Sequence, residues 1–409
     1  MADSISRETE YARLHTELRY HHVQQLSQIG DNYKLDQDSD NPPIDGSDGL
    51  SVDLLKVWTQ QAKTQFDDAV EKRVFGQKNT ISWENTILTF LESSAVYLRD
   101  VTKVVAAIRE AKLGNEKKAI KYLEEADTDI QGIAKVWGFD YVTICDLFQR
   151  SPDGQEVIVG PFCGAFSKNM SFVGIAFKGT TSTPEWNTDL NRDPKATGDS
   201  SILWNTNVSE GVSNGLFGTY GDWGVPMDHI VEFLQESASL LPEGSTKLVV
   251  HSTGHSLGAS YATLCYAQLL LYYSTNPVEW TLGDMYTYGS PRVAENNFTS
   301  QLQTALKTAP GSTWRIVNRN DSVTAIVPAP KDCFGEGDPN DDDPRVYIHT
   351  DTGYRISANA SPVLLDSEIG QDPGPAPKTV EYLWDDQHVK DHMPPEYWPA
   401  LLVANGIPN

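Results

Sequence analysis

The sequence predicts an α/β fold in which a mainly parallel central sheet is covered by helices and preceded by an N-terminal helical extension. Three observations predict it. The first third of the 409 residues carries apolar residues at helical spacing. From about residue 155 short β-rich runs alternate with helical stretches. One of those runs, Lys247 to Val250, leads through a glycine-flanked serine directly into a helix. A chain of this length accommodates one α/β unit of about 250 residues with an added segment. Residues 1–150 are therefore expected to form the extension and 151–409 the sheet-bearing domain.

Behind Ser51, a suitable N-cap, Leu54, Trp58, Ala62, Phe66 and Val70 recur every four residues and line one helix face. A second stripe comprises Leu88, Leu91, Ala95, Leu98, Val101, Val105 and Ile108, with Gly114 as its stop. A shorter helix is expected from about Glu116 to Asp127, and the acidic, proline-bearing stretch 36–48 reads as a loop. Strands are expected at Glu156–Phe166, Ser171–Phe177, Lys247–His251, Met285–Tyr288, Trp314–Asn318 and Arg345–Ile348. Asp228–Leu240 and Ala259–Tyr273 carry helical spacing between them.

Composition narrows the partners. Apolar residues at 39% and charged residues at 22% suit a chain that buries a sizeable core. A net charge of −24, from 32 basic and 56 acidic residues, repels phosphate backbones, so nucleic acid is not an expected partner. Solubility is the simplest account of that charge. No stretch approaches the roughly 18 apolar residues of a membrane helix, so no transmembrane segment is expected. The start, Met1 to Glu8, lacks the apolar run of a signal peptide. The chain as it stands is expected in the cytoplasm, or outside the cell where a leader has been removed. Cys145, Cys163, Cys265 and Cys333 show no metal-ligand spacing, and the acidic run 335–343 lacks calcium-ligand spacing and reads as a solvated loop. No metal or cofactor is expected, and no motif fixes an oligomeric state.

The stretch from Lys247 to Ala259 carries the chemistry: a β-branched run, a sharp turn at Gly254-His255-Ser256-Leu257-Gly258, and a helix of small residues. This is a nucleophile elbow, whose glycines let strand and helix backbones approach and whose serine is lifted above the sheet edge. Ser256 is thus the candidate nucleophile. Its hydroxyl needs an imidazole to remove the proton and a carboxylate to orient that imidazole. Asp321 follows the run Trp314–Asn318 where an apolar strand breaks into a polar turn, the place of a presented acid. Three histidines lie downstream. His349 ends an apolar run and reads as a sheet-edge residue with a structural hydrogen bond, which leaves His388 and His392 as candidates for the base.

In order, these motifs resemble the class 3 lipases, a family of fungal triacylglycerol lipases that includes feruloyl esterases and monoacylglycerol or diacylglycerol lipases. The resemblance spans about residues 155 to 400. Phe172 to Ser182 with Trp186, Asp189 and Leu190 resembles the family's oxyanion loop and lid. Tyr288-Gly289-Ser290-Pro291-Arg292-Val293 and Asn320-Asp321-Ser322-Val323 resemble its later strand and acid loop, and Asp391-His392 with Tyr397 its histidine region. Val212-Ser213-Asn214-Gly215 departs from the usual pattern, and Tyr397 is spaced more widely than usual. That spacing keeps His388 in play, although the resemblance favours His392. It implies an α/β-hydrolase that cleaves esters of acylglycerol-type lipids through an acyl-enzyme, with the amides of Thr180 and Leu257 and the Thr180 hydroxyl holding the oxyanion. Residues 183–212, with Trp186, Leu190, Ile202, Leu203 and Trp204, sit where the family places a lid. They read either as a cover making transient contact with a lipid interface or as a fixed surface loop. Two other functional readings stay open: an esterase for soluble aromatic or short-chain esters, and a catalytically silent hydrolase fold that binds lipid or a partner.

Overall fold

A computed structural model describes residues 2–27, 46–150, 157–168, 171–180, 194–242, 244–325, 347–365 and 386–408. The N-terminal third supplies α1 (Ala2–Ser27), α2 (Val52–Gln61), α3 (Lys63–Lys72), α4 (Trp83–Ala95), α5 (Val101–Lys112), α6 (Glu116–Ala126) and α7 (Thr128–Trp137). The strands β1 (Asp140–Arg150), β2 (Val157–Ser167) and β3 (Phe172–Phe177) follow, then a small hairpin of β4 (Pro194–Ala196) and β5 (Asn207–Ser209). Next come α8 (Glu210–Phe217), α9 (Pro226–Ser239), β6 (Leu248–His255), α10 (Leu257–Thr275), β7 (Trp280–Tyr288), α11 (Asn296–Leu306) and β8 (Thr313–Asn318). The chain closes with β9 (Thr352–Ser357), β10 (Ala360–Leu364), α12 (Asp386–His392) and α13 (Pro394–Ala404).

The helix stripes are where expected, but each is bent. Ser51 caps α2, its hydroxyl accepting from the Leu54 amide at 3.2 Å. The stripe then breaks at Ala62, whose φ of −112° and ψ of 30° separate α2 from α3 while Trp58, Ala62 and Phe66 stay buried on one face. The second stripe, expected as one helix, is two. After the 3-10 turn Val96–Leu98 the backbone extends at Arg99, and Asp100 caps a new helix by accepting from Thr102 at 2.8 Å. Arg99 explains the break: its buried guanidinium pairs with Asp146 of β1 and stacks over Phe162 at 4.5 Å, a polar anchor that redirects the chain. Gly114, with φ of 73°, follows the end of α5.

The eight-stranded sheet runs β1-β2-β3-β6-β7-β8-β9-β10. Its centre, from β3 through β6, β7 and β8 to β9, is parallel, while β1, β2 and β10 add antiparallel edges. Strands β3, β6 and β8 are buried at every position, as befits strands covered on both faces. One face packs against α8, α9, α10 and α11, the other against α2, α3, α4, α7 and α13. Helix α4 lies directly on β6. Thr253 Oγ1 donates to the Thr89 carbonyl at 3.0 Å, and His251 Nε2 meets Glu92 at 2.6 Å with both side chains fully buried.

The sheet begins at Asp140 with β1 running to Arg150, and residues before and after that strand share one core. Strand β1 escapes a reading by apolar alternation because Thr143 and Asp146 are buried in it. Thr143 donates to Asp127 at 2.6 Å, and Asp146 pairs with Arg99. The strand expected at Arg345–Ile348 is represented among the described residues by Tyr347 and Ile348, where Ile348 makes one isolated bridge to Ala294. The sheet strand here is β9, a few residues later. Residues 36–45 of the acidic loop, the lid residues Trp186, Asp189 and Leu190, Cys333 and the run 335–343 lie outside the described residues. No helix among the described residues is long and apolar enough to cross a membrane.

Candidate active site

Ser256 stands between β6 and α10 with φ of 59° and ψ of −133°, a backbone state that few non-glycine residues adopt. The turn is held by the Ser256 amide donating to the Tyr288 carbonyl at 3.0 Å and the Ala259 amide donating to the Ser256 carbonyl at 2.9 Å. Its glycines are required by close backbones. A Cβ at Gly254 would lie 2.2 Å from the Gly258 carbonyl oxygen, and one at Gly258 would lie 2.2 Å from that of Phe177. The Phe177 to Thr180 segment therefore rests against the elbow. Gly179 touches it as well, since a Cβ there would sit 2.5 Å from the His255 carbonyl oxygen and 2.9 Å from the Ser256 Cβ.

Asp321 follows β8 in a tight turn, its amide donating to Asn318 at 3.0 Å. Three donors converge on its buried carboxylate. His392 Nδ1 lies 2.9 Å from both oxygens, the Tyr397 hydroxyl donates at 2.6 Å, and the Val323 amide at 2.9 Å. Burial and the neighbouring Asp321 charge push the Tyr397 phenol well above its usual pKa, so it remains a proton donor. Asn318 anchors the terminal helices by donating to the carbonyls of Asp391 and Glu396. His392 is thereby set at the end of α12 with its Nδ1 toward the acid, and its buried Nε2 meets no hydrogen-bond partner among the described residues.

Ser256 and Asp321 follow the carboxyl ends of the central parallel strands β6 and β8, and His392 comes to Asp321 from α12. The residue after Tyr288, Gly289, has φ of 57°, and a Cβ on it would meet Asp321 Oδ2 at 2.7 Å and His392 Nδ1 at 2.8 Å. From the serine side, His255 reaches His392 through a 2.8 Å contact between its Nε2 and the His392 carbonyl, and the two rings stack. Of the two candidate histidines it is His392, not His388, that meets Asp321. His349 is buried and hydrogen-bonded to the Thr324 backbone, and burial beside Arg315 and Arg292 pushes its pKa well down. Leu257 opens α10, and Thr180 is buried with its carbonyl accepting from the Gly46 amide at 3.1 Å. The described part of the expected lid is tied down: Gln268 of α10 accepts from the Leu203 amide at 2.9 Å and donates to the Ser201 carbonyl at 2.8 Å. Tyr97, His255 and Gly289 are site residues that sequence reasoning did not single out. His255 and Gly289 each lie inside a motif without a role read for them, whereas Tyr97 precedes every strand of the sheet and carries no local signal.

Sheet order and elbow together define an α/β-hydrolase. The model of the family described as Lipase (class 3) matches residues 174–331, so the resemblance read from the motifs is borne out over that stretch. The enzyme class follows from it: a carboxylic ester hydrolase of the lipase kind. His392 and Tyr397 lie beyond the matched stretch. Among solved structures, the chain is similar to a Rhizomucor miehei lipase in complex with its propeptide, at 17% identity over 76% of this chain and 80% of that one, with a TM-score of 0.41. It is similar to lipase II from Rhizopus niveus at 17% identity, over 68% and 84% of the two chains and with a TM-score of 0.40. A fungal lipase in complex with an inhibitor matches at 18% identity, over 63% and 84%, with a TM-score of 0.42.

Proposed function

We propose that the protein hydrolyses acylglycerol-type lipid esters through a triad of Ser256, His392 and Asp321. One observation carries this reading: a buried imidazole bonded to a buried carboxylate at 2.9 Å, with its other nitrogen unpartnered, stacked on His255, whose chain neighbour is a serine in a strained strand-to-helix turn. Nδ1–H of His392 donates to Asp321, which leaves Nε2 as the base. It takes the Ser256 proton as the hydroxyl attacks the ester carbonyl. The tetrahedral oxyanion is held by the Leu257 amide at the positive end of α10 and by the amide and hydroxyl of Thr180. Each such donor lowers the barrier by roughly 3 kcal/mol. The protonated imidazole then donates to the leaving alcohol, and a water activated by Nε2 releases the acid from the acyl-enzyme. Side chains and backbone amides supply every step.

The test is a fluorophosphonate label together with p-nitrophenyl esters and triacylglycerols of graded acyl length. The wild type is expected to label and to cleave the lipids, and Ser256→Ala to do neither. His392→Ala should lose on the order of 10³-fold or more in kcat, while His388→Ala keeps activity within a few-fold. Labelling with turnover of short soluble esters alone would replace the lipase reading with the esterase one. A wild type that neither labels nor turns over would leave the silent binding fold.

A further inference from the structure

His255 immediately precedes the nucleophile, yet its side chain points into the protein and is fully buried. Its Nε2 lies 2.8 Å from the His392 carbonyl, and its Nδ1 lies 2.9 Å from the Tyr97 hydroxyl. Its ring stacks on that of His392 with centroids 4.5 Å apart and planes at 28°, and Tyr97 and Tyr397 meet it edge-on. A carbonyl oxygen only accepts, so Nε2 must carry the proton. Burial and the proximity of His392 push the His255 pKa well down, so the ring is neutral and Nδ1 is an acceptor. The direction of the chain is then fixed: the Tyr97 hydroxyl donates to His255, and His255 donates to the backbone of His392. Nothing in the proton transfers of the triad uses this chain. It nevertheless grips the base by its main chain and one ring face, while Asp321 grips only Nδ1.

Resting on the triad reading above, we propose that His255 is a positioning residue, which with Tyr97 sets the backbone and ring plane of His392 over Ser256. A base held by Asp321 alone can swing about the Nδ1 contact, and small misplacements of a reacting group cost rate far more than binding. The terminal helices α12 and α13 that carry His392 reach the site from the end of the chain, so a link to the elbow itself fixes the base relative to the nucleophile.

The experiment measures kcat and KM on one p-nitrophenyl ester for wild type, Ser256→Ala, His255→Leu, His255→Gln and Tyr97→Phe, with circular dichroism and thermal midpoints beside them. His255→Leu is expected to lower kcat by roughly 10- to 100-fold with KM within about twofold. His255→Gln keeps an N–H able to reach the His392 carbonyl and should recover most of that loss. Tyr97→Phe removes the donor that orients His255 and should lower kcat several-fold. With Ser256→Ala inactive, a folded Leu variant within about twofold of wild type, or Leu and Gln variants equally impaired, overturns the inference alone. Should His255→Leu not fold, an unchanged kcat in Tyr97→Phe overturns it instead. Activity that survives Ser256→Ala overturns the triad reading and this inference with it.

Discussion

Asp321 gathers more of the site's hydrogen bonds than any other side chain described here, and its partners come from different elements. The His392 contact fixes a tautomer, whereas the Tyr397 contact fixes the carboxylate. Their removal should therefore differ in size. Asp321→Asn keeps the shape but presents an amide to Nδ1 and favours the wrong tautomer, for which a drop of about 10⁴-fold in kcat is expected. Tyr397→Phe leaves the imidazole pair intact and removes one charge-assisted hydrogen bond, so a loss of about 10-fold is expected. Steady-state kinetics on a single ester separates the two, and equal losses would contradict the division of roles. The strand-to-helix turn at Ser256 and the loop after β8 at Asp321 were legible because each sits in its own local motif. Tyr397 was marked only through the family pattern, and its contact with Asp321 was not legible, because a hydrogen bond across 76 residues leaves no local periodicity behind.

Turns and strand ends make the same point for elements. Gly289 occupies a left-handed turn after β7, where any side chain would strain the backbone and press on both Asp321 and His392. Gly289→Ala is expected to lower kcat by roughly 10- to 100-fold and to cost about 1–3 kcal/mol of stability. The contrasting variant is Gly132→Ala within α7, where an added Cβ meets nothing within 4 Å and should stabilise the fold by roughly 0.5–1 kcal/mol. Denaturant melts with parallel kinetics check both, and a fully active Gly289→Ala would refute the steric argument. Strands β3, β6, β7 and β8 were legible because burial on both faces writes a nearly continuous apolar run. The breaks at Ala62 and Arg99 were not, because an apolar stripe continues across a bend when both halves face the same core. Strand β1 stayed hidden because its buried Thr143 and Asp146 are satisfied by side chains remote in sequence.

Across the whole molecule an N-terminal helix, α2, meets the terminal helix α13 in one core. Trp58 of α2 stacks on Trp398 of α13 at 5.0 Å, and the Trp398 indole donates to Gln61 at 2.7 Å. The N-terminal helices thus brace the segment that carries His392, and the stability of the whole bears on the geometry of the proposed base. That stability should depend on pH through buried histidines that composition counts but cannot place. Burial, with Arg19 beside it, lowers the His15 pKa to about 4, and burial holds His22, His255 and His349 well below their usual value. In the unfolded chain each titrates near 6.5. Folded pKa values below unfolded ones mean that their contribution is fully present above about pH 6.5 and is lost as pH falls, because the unfolded chain binds more protons. Each histidine should remove on the order of 1 kcal/mol per pH unit below that point. Asp284 acts in the opposite sense: burial raises it to about 6 from an ordinary 3.8, so the folded state binds the extra proton between those values and gains stability as pH falls through them. The acidic surface, at a net −24, discharges mainly near ordinary carboxylate pKa values of about 4, below this window. The thermal midpoint should therefore begin to fall as pH drops through about 6.5 and fall more steeply below 6, where Asp284 offsets about one of the four histidines. Calorimetry across that range checks it, with His22→Gln expected to flatten the slope by about one proton because the amide can still donate to the Ile144 carbonyl without titrating. A midpoint that is level or rises as pH drops from 7.5 to 6 would show that these rings are not held neutral in the core.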